Sequence, residues 1–182
     1  MQYVQDSDEI MPPCSNDANN GTSWRTMIQP YVKSTQLFVC PSNPKNTQNT
    51  LQDNGLIRIS YAGFSTASIG GGGQPDNFRP FVNGPAPWAN PGDLVPLSRI
   101  QSPSTVPMVG ETVGPYPDMA TQNIDDNLLP HLSTWNVLWA DGHVKSGKPL
   151  SLCQAPNTLH ISGSVCTTTE IAELAAIQAK YQ

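Results

Sequence analysis

The chain has 182 residues, enough for one domain with a small appendage; 37% are hydrophobic and only 13% charged. With 18 Pro and 14 Gly it affords a modest core and much loop, and its many neutral polar groups suit a surface outside the cell. A formal charge of −5, with nine Lys and Arg scattered singly, offers a phosphate backbone no footprint and argues against nucleic-acid binding.

Taken in chain order, residues 1–13 predict one or two helical turns that stop at Pro12-Pro13. No cap precedes Met1, so this helix reads as the tail of a longer one. Ser23 is placed to cap a short helix with Trp24, Met27, Ile28 and Tyr31 on one face, which Pro30 should distort or end. Leu37-Phe38-Val39-Cys40 reads as a short apolar strand closed by Pro41, and Ile57 to Tyr61 as a second strand.

Residues 63–98 are rich in Gly, Pro and Asn. The run Gly70 to Gly73 lacks the following Lys-Ser/Thr of a phosphate cradle and reads as a surface loop. Within it Trp88, flanked by prolines, is the best candidate for an exposed contact with glycans or polymers, whereas Trp24 and Trp139 read as core. Val106 to Glu111 predicts a buried strand ending in a carboxylate. Pro107 sets it at a sheet edge or makes its first residue irregular.

Asp118, Asp125 and Asp126 occupy a polar stretch whose oxygens suit calcium, but without EF-hand spacing solvated loop carboxylates are the favoured reading and no metal is assigned. Residues Asn136 to Ser146 carry the clearest signal. Asp141-Gly142 between two apolar runs predicts a hairpin with a two-residue type I′ turn. That register opposes Trp139 to Val144 and Val137 to Ser146, giving one apolar face of Val137, Trp139 and Val144, with His143 and Lys145 on the other. Thr167 to Glu170 forms a capping box ahead of a C-terminal helix, with Ile171, Leu174, Ala175 and Gln178 along its docking side and Ile177 widening the stripe.

Four cysteines, Cys14, Cys40, Cys153 and Cys166, form no CxxC pair and fall into two sequence-local pairs. Of three connectivities, Cys14–Cys40 with Cys153–Cys166 is expected, each bridge stabilising by roughly 3 kcal/mol and implying an oxidising compartment. The alternative is four reduced thiols. No apolar run reaches the length of a signal peptide or membrane span, which is compatible with disulfides if the sequence is a processed or truncated chain.

His131 is either a catalytic base or metal ligand, or an imidazole that fixes the hairpin through a carboxylate such as Glu111 or Asp141; the second is favoured. A hydrolase built from His131, Asp141 and a serine has no GxSxG elbow behind it. His131, His143 and His160 show no helical metal-binding spacing.

The segment HLSTWNVLWADGHVKSG places nine residues between His131 and Asp141-Gly142, and so resembles the signature of the H-x9-DG, prepilin-type family of type IV pilin-like proteins and pseudopilins. MQYVQDSDEIMPP is similar to that family's junction between long helix and head. WRTMIQPYVKSTQLFVCPS resembles its helix-strand-Cys-Pro segment, and VPMVGET its buried strand. Pro130 and Leu132-Ser133 depart from the usual pattern around the histidine.

The resemblance implies an α+β, type IV pilin-like head with an antiparallel sheet of about four to six strands, short helices, long loops and a docked C-terminal helix. On this reading residues 1–13 end an N-terminal helix, 14–166 form the head and 167–182 the last helix. The Cys153–Cys166 loop resembles the disulfide-closed end of many pilins, and calcium in a loop has parallels among pseudopilins. The implied function is that of an extracellular, periplasmic or cell-surface subunit of a type IV pilus or type II secretion filament, without catalysis. Its expected partners are other subunits, engaged through a membrane helix lacking here. An adhesin-like surface-binding module, or less strongly a secreted hydrolase using His131, are the alternatives.

Overall fold

The computed structural model describes residues 2–12, 22–44, 46–49, 53–58, 60–64, 95–100, 103–112, 118–119, 131, 134–148, 150–151 and 168–179. The architecture is α+β: a five-stranded sheet with a few helices. The strands are β1 (Tyr61–Phe64), β2 (Pro107–Glu111), β3 (Asp118–Met119), β4 (Trp135–Trp139) and β5 (Val144–Gly147), in the order β3-β1-β2-β4-β5. Pairing is antiparallel except at the edge, where two-residue β3 runs parallel to β1.

Helix α1 (Gln2–Asp6) is short and buries Val4. The chain leaving it is stitched to residues 95–97, with Met11 N–H donating to Val95 O at 2.9 Å and Leu97 N–H to Glu9 O at 2.7 Å. Val4, Met11, Val95, Ile100, Val106 and Ala140 pack as one apolar cluster.

Helix α2 (Trp24–Val32) begins as expected, with Ser23 Oγ accepting from Arg25 N–H at 3.2 Å. Pro30 is accommodated inside it, and Lys33 ends it in a left-handed conformation at φ 59°. The helix contributes Trp24 to a second cluster with Phe38, Ile57 and Val109. Trp24 meets Phe38 edge-on, ring centroids 5.9 Å apart.

The expected strand Leu37–Cys40 is instead a 3₁₀ helix over Thr35–Phe38. Ser34 Oγ accepts from Gln36 N–H at 3.2 Å and starts a turn that a four-residue apolar run is too short to override. Phe38 and Cys40 are buried while Leu37 is exposed. The second expected strand begins later than expected, at Tyr61. Pro107 does not mark an edge, because β2 is central; its irregularity appears as a register shift between Pro107 and Val109.

The hairpin forms, in a different register. Leu138 opposes Val144, Val137 opposes Lys145 and Asn136 opposes Ser146. The loop is therefore the three residues Ala140, Asp141 and Gly142, closed by Gly142 N–H to Trp139 O and Trp139 N–H to His143 O, both at 2.9 Å. Only Gly142 has positive φ, at 93°, which fits a type I turn with a glycine bulge; type I′ would require two such residues. The one-residue slip exchanges the faces of β5. His143 stacks on Trp139 at 5.5 Å and Lys145 faces Val137, while Val144 joins Leu138 and is exposed.

Helix α3 spans Thr168–Ala179. Ala175 and Gln178 are half-buried, whereas Ile171, expected on the docking side, is exposed. Among the described residues no helix is long and apolar enough to cross a membrane.

Candidate functional site

Three segments far apart in sequence converge beside β2. Cys40 opens the turn Cys40-Pro41-Ser42-Asn43, with proline at the position whose φ it presets and Asn43 N–H donating to Cys40 O at 3.0 Å. Asn43 Nδ2 then donates to Thr112 O at 2.7 Å, and Cys40 N–H to Ser60 Oγ at 2.9 Å. These bonds fasten Cys40 to the end of β1 and β2, next to Glu111.

Glu111 closes β2, opposite Tyr61 of β1. Its side chain is 2% exposed, and neighbouring donors meet both oxygens. Oε2 accepts from Asn136 N–H at 2.8 Å; Oε1 accepts from Asn136 Nδ2 at 3.3 Å and lies 2.7 Å from His131 Nε2. A buried carboxylate is tolerated when so supplied with donors.

His131 precedes β4 in a small turn, where Thr134 N–H and Oγ1 donate to His131 O at 3.0 and 2.6 Å. Its side chain remains 34% exposed. The same Nε2 that meets Glu111 lies 3.5 Å from Cys40 Sγ. Tyr61 completes the group. Burial first, then the nearby Cys40 and Glu111 groups with a hydrogen bond to Cys40, push its hydroxyl up to about 12.

Cys40, Glu111 and His131 each offer one ligand atom, all within 4.8 Å of one another. The arrangement differs from a nucleophile-histidine-acid relay, in which thiol and carboxylate address opposite ring nitrogens; here both address Nε2. Tyr61 and Asn136 also line an apolar cavity of about 480 Å³ bounded by Trp24, Phe38, Val109 and Leu138.

Of the residues singled out from sequence, His131 and Glu111 are brought together, and Asp141 and Gly142 lie at the hairpin loop. Asp141 is engaged by His143, not His131: its Oδ1 lies 2.5 Å from His143 Nδ1 and accepts from His143 N–H at 3.1 Å. That backbone donor foremost holds the Asp141 carboxyl below its ordinary range.

Cys40 carries a free, buried thiol whose sulfur turns toward His131, and Cys14, its expected disulfide partner, lies outside the described residues. Cys14, Cys153, Cys166, Trp88, Asp125, Asp126 and His160 lie outside the described residues, and Asp118 is placed by its backbone pairing with Gly63 alone. Sequence reading missed Cys40 as a companion of His131, and also Asn136. Pro41 marks the end of the apolar run, but nothing local signals which distant strand end Cys40 meets.

No protein-family model, curated protein or solved structure matches this chain.

Proposed function

We propose that this chain is the head of a type IV pilin-like or pseudopilin subunit, acting mechanically at the cell surface, in the periplasm or outside the cell, without catalysis. The observation that carries this reading is the contact of His131 Nε2 with Glu111 Oε1 at 2.7 Å. The imidazole at the start of the H-x9-DG segment is tied to the end of the central strand, and Asn136 of the hairpin holds the same carboxylate. In this role the motif is architectural: it locks the start of β4 to the end of β2.

The antiparallel order β1-β2-β4-β5 and the entry of α1 beside residues 95–97 support the same reading. A helix arriving through α1 would be anchored to the head by those bonds, and partner subunits would pack through that helix. The test is expression from the native gene in the native cell, with antibodies to this head used to label surface structures. Filaments decorated along their length are expected. A product released singly, with no assembled or envelope-bound form, would contradict the reading.

A further inference from the structure

We propose that Cys40, Glu111 and His131 bind a divalent metal ion of the zinc class, with a fourth coordination position left for water or a ligand. The donors are one sulfur, one carboxylate oxygen and one imidazole nitrogen, brought together from a turn, a strand end and a bridge residue. Thiolate and imidazole together suit zinc and its neighbours and disfavour calcium or magnesium, which take oxygen.

The sulfur–nitrogen distance suits such an ion. With metal–sulfur near 2.3 Å and metal–nitrogen near 2.0 Å, tetrahedral geometry separates sulfur from nitrogen by about 3.5 Å. Cys40 Sγ and His131 Nε2 are 3.5 Å apart. Nitrogen and oxygen on the same ion would stand about 3.4 Å apart, whereas His131 Nε2 and Glu111 Oε1 are at hydrogen-bond distance, 2.7 Å. Binding therefore replaces that hydrogen bond and opens one edge by about 0.7 Å. The half-exposed His131 is the member able to yield, since Glu111 is fixed from its other oxygen by Asn136 N–H.

Outer partners are already placed. Asn136 orients Glu111 and Ser60 Oγ holds the Cys40 backbone N–H, the kind of support that holds ligands to a metal. The inference is independent of the filament reading, since an empty trio would still brace the hairpin.

Cobalt titration of the reduced chain tests it, with zinc competition giving the affinity. One equivalent per chain is expected, with strong tetrahedral visible bands and a thiolate-to-cobalt charge-transfer band that Cys40→Ser abolishes. Loss of an outer-shell partner costs metal affinity about 10–100-fold, so His131→Ala and Glu111→Gln are expected to cost at least as much. Cys40→Ser is nearly isosteric, and circular dichroism verifies that each variant is folded. Absence of the charge-transfer band in the unaltered chain would overturn the proposal. So would an unchanged band in Cys40→Ser, because cobalt would then sit on another cysteine.

Discussion

Arg25 and Asp53 form an ion pair with both side chains withdrawn from solvent, Nη2 to Oδ2 at 3.2 Å. Asp53 also accepts from Ser23 N–H, Ser23 Oγ and Thr26 Oγ1, at 2.6 to 2.7 Å, while Arg25 Nη1 donates to Tyr61 O at 3.2 Å. The pair thus ties the start of α2 to the chain ahead of β1 and to β1 itself.

Removing one partner strands a buried charge. Asp53→Ala is expected to lower unfolding free energy by about 3–5 kcal/mol, read from urea denaturation. A loss below about 1 kcal/mol for the single variant would show that the pair is solvated like a surface bridge.

Gly142 sits at φ 93°, and a Cβ placed there meets nothing within 4 Å. Gly142→Ala therefore carries only the backbone penalty, expected at about 1–2 kcal/mol. The urea midpoint should fall with the slope unchanged. An unaltered midpoint would mean that the loop does not hold this conformation.

Asp141 is expected to titrate below the ordinary carboxylate range, measured by carbon-detected NMR. Because its folded value is depressed, the stability it contributes is present above the unfolded value and is lost only as pH falls through the folded one. Its largest single cause is the backbone N–H of His143, so His143→Ala should leave part of the depression in place. Full return to the ordinary value in that variant would assign the effect to the imidazole instead.

Cys40 is free and 2% exposed. Without reductant, iodoacetamide should spare it in the native chain and label it after denaturation, as read by peptide mass spectrometry. Denatured chain that still resists labelling at Cys40 would reveal a disulfide.

Much of this arrangement is legible in the residues. Ser23 signals the start of α2, the apolar run before Glu111 signals β2, and Asp-Gly signals the hairpin. The register is not, because a glycine at positive φ serves either turn type. Asp141 decides it by accepting from His143 N–H, which favours the longer loop and places His143 over Trp139. The strand expected at Leu37–Cys40 fails because Ser34 supplies a local cap. The Cys40–Glu111–His131 trio and the Arg25–Asp53 pair depend on contacts between distant segments, which no local periodicity records.

The brace itself is tested by a double-mutant cycle on His131→Ala and Glu111→Gln, followed by urea unfolding with a chelator present. Coupling of about 0.5–3 kcal/mol is expected, with each single change destabilising. Additive effects within about 0.3 kcal/mol would contradict an imidazole that holds the hairpin through that carboxylate.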